Sequence, residues 1–180
     1  MALDDPLPDG SRLCIECGLC CDGALHNAAT LLPEEVPLAF ALGMKVTQSS
    51  QEAEFALPCH LLKDRCCSVY ADRPSPCRNY KCRLLQSLDS GERSLEECLE
   101  KVSKARSLLS ELEAVLPVGM TLPEARGVAA SKAVKNDAGM PENAKIKLHA
   151  FALNVYLEKY FRNDYESSFL EISSLEEGGG

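Results

Sequence analysis

The sequence contains no tryptophan, and aromatic residues make up only 6% of its 180 residues. It has no apolar run of about 18 residues, so we predict no transmembrane helix. Glycine-rich phosphate-binding motifs, H-E-x-x-H and G-x-S-x-G are all missing from it. Its carboxylates follow spacings typical of solvated helix faces, and no acid–base pair stands out. The sequence therefore gives no positive sign of catalysis.

The N-terminal residues MALDDPLPDG include neither a basic segment nor an apolar core. They do not have the pattern of a secretory signal peptide, so we expect the protein to stay in the cytoplasm. Thiols remain reduced in that compartment. The ten cysteines are therefore better explained by metal ligation than by disulfides.

The formal net charge is −8, which argues against nucleic acid as a partner because binding to phosphates needs a basic surface. One segment departs from this balance. Residues 59–83 contain six basic and two acidic side chains, a local charge of +4, against −12 for the remainder. A positive segment in an acidic protein suggests a negative group nearby.

The cysteines are confined to one part of the chain: nine of the ten precede residue 83, and the last 82 residues contain none. We therefore predict a cysteine-cluster metal-binding region at 1–90, a helical region at 91–166 and a flexible acidic tail at 167–180. The expected fold is α-rich. An irregular, cysteine-rich N-terminal half would pack on a C-terminal three-helix region, within one compact domain.

The helical region shows clear start signals. Ser94 with Glu97, and Thr121 with Glu124, are each spaced as a capping box, in which two side chains satisfy orphan backbone N–H groups. Apolar residues then recur at three- and four-residue steps, which predicts one buried face per helix. The first helix ends near Pro117 and the second runs to about Val134. After a turn at 136–139, Pro141 starts a third helix, with inward residues Ile146, Ala150, Leu153, Leu157 and Tyr160.

The N-terminal half is less regular. Pro33-Glu34-Glu35 predicts the start of a short helix that Gly43 ends. Short strands are expected between Lys45 and Leu57.

The first cysteine motif is C-I-E-C-G-L-C-C, at 14–21. Two residues between cysteines suit a tight turn that directs both sulfurs at one metal, and Gly18 eases such a turn. The C-x2-C-x2-C run invites comparison with bacterial ferredoxins, but those need a fourth cysteine after three intervening residues. Here that residue is Ala24, so the ferredoxin interpretation fails in detail.

The second cysteine motif occupies 59–82 and supplies enough further thiols for two four-sulfur sites or one polynuclear site. A zinc ion with four thiolates carries −2, so two sites carry −4. The +4 segment is then understandable as charge compensation, and Arg73 and Arg78 are the candidate cofactor-binding residues. Arg78 follows Cys77 directly and is expected to donate to its sulfur.

The order of these elements resembles the CxxCxxCC-type cysteine-cluster family, described as zinc- or iron-chelating domains. The similar elements are C-x-x-C-G-x-C-C at 14–21, the isolated cysteine at 59, C-S-V-Y at 67–70, R-P-x-x-C-R at 73–78 and the cysteine at 82. The resemblance covers 12–83. It implies the metal ligands Cys14, Cys17, Cys20, Cys21, Cys59, Cys67, Cys77 and Cys82.

The remaining candidates have plainer interpretations. Cys66 looks surplus, because the family's C-x-[IV]-Y begins at Cys67; its alternative roles are a further ligand or a redox-active spare thiol. Cys98 is predicted to be a core residue, since it lies on the apolar face of a helix.

The two histidines near the cysteines also have plain interpretations. His26 is interpreted as a loop residue, and His60 as a surface or supporting residue. The prolines at 74 and 76 are expected to stiffen a loop, and Tyr70 and Tyr80 to shield the site from water.

Thiolate ligands favour zinc or an iron–sulfur cluster, which we hold as equal alternatives. The leading prediction is a metal-binding module without turnover. The alternatives are an iron–sulfur redox or protein-modification component, since a similar domain accompanies flagellin lysine methylases, and a metal storage or delivery protein. The expected partner is a metal ion or cluster, with no membrane and no nucleic acid.

Overall fold

The computed structural model describes residues 7–49, 52–130 and 141–163. Its α-helices are α1 Asp9–Cys17, α2 Val36–Ala41, α3 Ser75–Asn79, α4 Arg83–Asp89, α5 Leu95–Glu113, α6 Leu122–Ala130 and α7 Pro141–Tyr160. The strands are short: β1 Ala28–Leu31, β2 Val46–Gln48, β3 Ala53–Ala56, β4 Leu62–Lys63 and β5 Cys66–Cys67. The helix-rich composition confirms that part of the predicted fold class.

The chain divides into two compact units. Unit 1 comprises Met1–Lys81 and Leu85–Ser103, and unit 2 comprises Cys82–Leu84 and Lys104–Gly180. The division falls inside α5, and the functional boundary near residue 90 stays a prediction. The predicted tail at 167–180 lies outside the described residues.

Unit 1 contains a three-stranded antiparallel sheet in the order β1-β3-β2. Along β3, Ala53 and Phe55 are buried while Glu54 and Ala56 are exposed, the alternation that a half-buried strand requires. These strands confirm the prediction for 45–57. Phe55 is the largest residue of a core cluster that also contains Leu31, Ala39, Met44 and Ala53.

The short helix predicted after Pro33 is present. A 3-10 turn at Pro33–Glu35 leads into α2, and Gly43 follows the helix with φ 71°. Ala39 on this helix is buried in the core cluster. The helix thus covers one side of the apolar residues of β1 and β3.

Both predicted capping boxes are confirmed. Glu97 accepts the Ser94 N–H at 2.7 Å, and Ser94 Oγ accepts the Glu97 N–H at 3.2 Å. Glu124 accepts the Thr121 N–H at 2.7 Å.

The second helix, α6, is described as far as Ala130. Its predicted extension to Val134 and the turn at 136–139 lie outside the described residues.

In unit 2, α6 packs against α7. The buried face of α7 contains Ile146, Ala150, Leu153 and Leu157, as predicted, whereas Tyr160 is only half-buried. Among the described residues, no helix combines the length and the apolar character needed to cross a membrane.

Candidate metal centre

The first cysteine motif begins in a helix. Cys14 and Cys17 lie in the last two turns of α1, so the tight turn predicted there is wrong for these two residues. Leu13 and Cys17, four residues apart, are buried on one side of the helix, which stabilises it, while Cys14 is exposed. Gly18, with φ 68°, ends α1 and donates its N–H to the Cys14 carbonyl at 3.1 Å.

After Gly18 the chain turns tightly. The Gly18 carbonyl accepts the N–H groups of Cys21 at 3.0 Å and Asp22 at 3.1 Å. Asp22 Oδ1 then accepts the Ala24 N–H at 2.9 Å. Cys20 and Cys21 are both half-buried in this loop. The turn predicted for the motif is therefore present, but only in its second half.

This loop is joined to the second cysteine motif by backbone contacts. The Cys59 N–H donates to the Cys21 carbonyl at 2.8 Å. Gly23 has φ 86°, and a Cβ there would lie 3.3 Å from the Pro58 nitrogen. Because glycine has no side chain, the two segments can approach closely at this point. The approach brings Cys21 next to Cys59.

Cys67 belongs to a hairpin that the sequence pattern did not predict. Strands β4 and β5 pair with Leu62 opposite Cys67 and Lys63 opposite Cys66. The two turn residues, Asp64 and Arg65, have φ values of 47° and 67°, as a type I′ turn requires. Asp-Arg is not the usual Asn-Gly or Asp-Gly signal for this turn, so the sequence pattern did not predict the hairpin.

The hairpin separates its two adjacent cysteines. Successive strand residues point to opposite faces. Cys66 is exposed, whereas Cys67 is half-buried and interacts electrostatically with Cys59. The turn residue Arg65 donates to the Glu16 carbonyl at 3.3 Å and forms an ion pair with the Glu16 carboxylate at 3.4 Å. The hairpin is thereby attached to α1.

Cys77 lies in α3, not in the proline-stiffened loop that we expected. Glu35 accepts hydrogen bonds at the start of this helix, from the Ser75 N–H at 2.6 Å and from Ser75 Oγ at 2.8 Å. These bonds satisfy donors that a helix N-terminus leaves unpaired. Cys77 itself packs against the core cluster of unit 1.

Four cysteines from separate segments share one electrostatic environment, and we call Cys21, Cys59, Cys67 and Cys77 the inner cysteine group. Burial, and after it the charges of Cys77, Cys59, Cys67 and Asp22, together raise the pKa of Cys21 to about 12. Burial, and after it the charges of Cys59 and Cys67, raise the pKa of Cys77 to about 11. The four sulfurs are therefore close enough for their thiolates to repel one another.

The other predicted ligands are placed differently. Although Cys14 is exposed as a residue, desolvation of its sulfur by the surrounding protein raises its pKa, while Arg73 lowers it and Asp89 raises it further. Cys17 is buried, and Cys20 and Cys82 are half-buried. Cys82 belongs to unit 2, whereas the inner cysteine group belongs to unit 1.

The two candidate arginines differ in their contacts. Arg73 lowers the pKa of both Cys14 and Cys77, which favours their thiolate forms. Its guanidinium lies 3.7 Å from the centre of the Tyr70 ring, and its Nε donates to the Tyr70 carbonyl at 3.0 Å. Arg78 pairs with Glu35 at 4.0 Å. Donation from Arg78 to the Cys77 sulfur stays a prediction.

The aromatic and histidine residues near the cysteines make specific contacts. Tyr80 packs edge-on against His26, with ring centres 4.8 Å apart, so His26 is more than the plain loop residue we expected. The Tyr70 hydroxyl lies 3.4 Å from Ser11 Oγ, and the residue is partly exposed. Shielding of the site by Tyr70 and Tyr80 stays a prediction.

The inner cysteine group fits a thiophilic metal by its donor chemistry. Four sulfur donors suit zinc or iron–sulfur clusters, and a cation among them would turn thiolate repulsion into attraction. Within the described part of the chain, no group of three or more His, Cys, Asp or Glu side chains already has metal-holding geometry. The donor chemistry of the inner cysteine group, and not an already formed ligand geometry, is therefore what fits a metal.

Cys98 is in the core of its helix, as predicted. It is 0% exposed on α5, and its pKa is raised by burial, with an opposing hydrogen bond to Ser87. All ten cysteines are free thiols.

Comparison with protein families gives one match. Residues 13–101 match a family described as "CxxCxxCC: Putative zinc- or iron-chelating domain". The matched segment ends two residues before the division between the units inside α5. The match supports metal binding and leaves zinc and iron as alternatives. Searches of curated proteins and of solved structures gave no match.

Proposed function

Because residues 13–101 belong to the CxxCxxCC family, we propose that they chelate zinc or an iron–sulfur cluster without turnover of their own. The proposed ligands are the thiolates of Cys14, Cys17, Cys20, Cys21, Cys59, Cys67, Cys77 and Cys82. The observation that carries this proposal is the inner cysteine group, in which thiols from distant parts of the chain lie within electrostatic reach of one another.

The arrangement of these thiols is hard to explain by packing alone. Three of the four are held by different elements: Cys21 by the Gly18 turn, Cys67 by the type I′ hairpin and Cys77 by the Glu35-capped helix. Bringing four ionisable sulfurs together is unfavourable if they ionise without a counter-charge. A bound cation supplies that counter-charge, which supports chelation.

The surroundings of the thiols also support the proposal. Arg73 favours the thiolate forms of Cys14 and Cys77, in line with a supporting role around an anionic centre. Because thiols bind metal only in the reduced form, the proposed location is a reducing compartment such as the cytoplasm.

The test is metal analysis of protein purified without oxygen. We expect iron with acid-labile sulfide, or zinc, bound in a fixed ratio to the chain. An absorption band near about 400 nm would identify an iron–sulfur cluster, because sulfide-to-iron charge transfer absorbs there and zinc does not. A preparation that contains neither metal and binds neither on addition would contradict the proposal.

A second candidate function, storage or delivery of the metal, is favoured by the exposure of Cys14. An exposed ligand can be approached by an acceptor thiol, as metal transfer requires. Competition with a chelator distinguishes the two functions: a delivery protein exchanges its metal rapidly, and a structural site retains it. A cluster that undergoes reversible one-electron reduction would instead favour the redox alternative.

A further inference from the structure

The C-terminal end of α7 receives hydrogen-bond donors from a distant segment. A helix leaves its last four carbonyls without partners inside the helix. In α7 the Leu157 carbonyl accepts the N–H groups of Phe161 at 2.8 Å and Arg162 at 3.0 Å, as the chain leaves the helix. The carbonyls that follow Leu157 are reached from the start of α4.

Arg83 donates to this helix end with both its side chain and its backbone. Its Nη1 donates to the Glu158 carbonyl at 3.3 Å and to the Lys159 carbonyl at 3.4 Å. Its N–H donates to the Phe161 carbonyl at 2.9 Å. A guanidinium is also favoured there by charge, because the dipole of a helix places partial negative charge at its C-terminus.

The helix end that receives Arg83 is itself fixed. Arg162 pairs with the Glu158 carboxylate at 2.7 Å, and both side chains are largely buried. Arg162 also donates to Asn154 Oδ1 at 3.4 Å. Phe161, whose carbonyl accepts the Arg83 N–H, is 0% exposed. A buried helix end with internal ion pairing can hold a second segment in a defined position.

These contacts bear directly on Cys82, the residue before Arg83. The Arg83 nitrogen and the Cys82 carbonyl share one planar peptide group, so a hydrogen bond that fixes the first also orients the second. Residues 82–84 group with α7 in unit 2, although the chain on both sides of them belongs to unit 1. The backbone of Cys82 is therefore set by the end of α7.

We propose that Arg83 is a positioning residue for metal binding, which fixes the backbone of Cys82 on the end of α7 so that the Cys82 thiolate is held ready to bind. The inference rests on the proposed function, in which Cys82 is a ligand. It also extends that function, because α7 lies beyond residue 101, where the family match ends. A helix outside the matched segment thus supports a ligand inside it.

Zinc affinity, measured by competition with a chelator on the full chain, tests the proposal. Outer residues that orient a ligand typically contribute tenfold to hundredfold in metal affinity. We expect Arg83→Ala to weaken zinc binding about tenfold, and Arg83→Lys, which keeps the charge but not the planar fork, to recover part of the loss.

A matched control separates positioning from general loss of stability. Ile146→Val removes a buried methylene group from the part of α7 that is far from Arg83 in the helix. This variant should have a lower melting temperature and an unchanged zinc affinity. If Ile146→Val weakens zinc binding as much as Arg83→Ala does, the effect is one of stability and the proposal is wrong.

A double-variant cycle with Cys82→Ser distinguishes positioning of Cys82 from a merely structural role of Arg83. It compares the effect of Arg83→Ala on zinc affinity with and without the Cys82 thiol. If Arg83 acts through Cys82, Arg83→Ala should have no further effect on zinc affinity once Cys82 is serine. Equal losses in the two backgrounds would overturn the proposal. Charge-transfer absorption of cobalt(II) bound in place of zinc should also fall in Arg83→Ala, as in Cys82→Ser, because one thiolate is lost.

The outcomes separate this proposal from the proposed function. Wild type that binds no metal contradicts both. Wild type that binds zinc, with a Cys82→Ser variant of equal affinity, leaves chelation in place but removes Cys82 from the ligand set and overturns the role of Arg83. A tenfold loss in Cys82→Ser with none in Arg83→Ala overturns the role of Arg83 alone.

Discussion

At the scale of single residues, neighbouring cysteines have different surroundings. Cys66 and Cys67 are adjacent in β5, yet one is exposed and the other interacts with Cys59. We predict that Cys67→Ser lowers the bound metal, whereas Cys66→Ser, a matched change one residue away, keeps it normal. Metal content per chain, measured after anaerobic purification, checks both variants. Equal loss of metal in the two variants would show that the alternation of side chains along β5 does not decide which cysteine binds the metal.

Cys98 provides a second control in the same experiment. It is 0% exposed within α5, so replacement by serine buries a hydroxyl but removes no proposed ligand. Cys98→Ser should retain its metal and lose about 1–2 kcal/mol of unfolding free energy in urea. Loss of metal from this variant would contradict the proposed ligand set.

Glycine acts at the point where the two cysteine motifs meet. Gly23→Ala adds a Cβ 3.3 Å from the Pro58 nitrogen in a left-handed conformation, φ 86°. Gly91→Ala has a similar φ, 73°, but no atom within 4 Å of the new Cβ. Both variants should lose about 1 kcal/mol from backbone strain, and Gly23→Ala should lose more because backbone atoms must move. Urea unfolding measures the difference, and equal losses would contradict close packing at Gly23.

At the scale of the elements, α3 depends on a carboxylate from elsewhere in the chain. Burial raises the pKa of Glu35, but hydrogen bonds from Ser75 and Leu32 and the charge of Arg78 outweigh it, so the pKa is lowered. A lowered folded-state pKa stabilises the protein above the unfolded value of about 4.3, and this contribution is lost as the pH falls. Glu35 is thus a positioning residue for Cys77.

We predict that Glu35→Ala costs about 1–2 kcal/mol of unfolding free energy at neutral pH, because the donors of Ser75 lose their acceptor. The variant should also lose less stability than wild type as the pH falls from about 5 to about 3 (roughly the range that spans the unfolded pKa of about 4.3 and the lowered folded pKa). Glu34→Ala, at the exposed neighbouring residue, is the matched control and should leave both properties unchanged. If the Glu35→Ala variant loses as much stability in acid as the wild type does, Glu35 does not cap α3.

At the scale of the whole molecule, metal binding and thiol ionisation are linked. The pKa values of Cys21 and Cys77, about 12 and about 11, exceed the unfolded value of about 8.5. The metal-free folded protein therefore retains protons that the unfolded chain releases, so its unfolding free energy should fall as the pH rises above about 8.5. Adding metal at pH 7 should release protons, because the ligands bind as thiolates.

A pH indicator in weak buffer measures the released protons during metal titration. Urea unfolding of the metal-free and metal-loaded protein at pH 7 and 9.5 (a range that spans the unfolded thiol pKa, about 8.5) measures the stability. We expect only the metal-free protein to become less stable at the higher pH. Metal uptake without proton release would show that these thiols are not the ligands.

Local sequence was enough to determine much of the molecule. The capping boxes at Ser94 and Thr121 formed as expected because their partners lie three residues away. The buried face of α7 and the strands between 45 and 57 followed from the spacing of apolar residues. The order and spacing of the cysteines predicted the family whose description residues 13–101 match. Each of these features depends on neighbours in the chain, which the sequence displays directly.

The placement of the cysteines was decided only by tertiary structure. Helix α1 replaced a predicted turn, an Asp-Arg hairpin separated Cys66 from Cys67, and α3 formed where Glu35, far away in the sequence, accepts its N-terminal hydrogen bonds. The contacts that hold these elements in place, Ser75 with Glu35 and Arg65 with Glu16, join residues that are distant in the chain, and no local pattern specifies such pairs. The sequence thus determined which atoms can bind a metal, and folding determined which of them lie together.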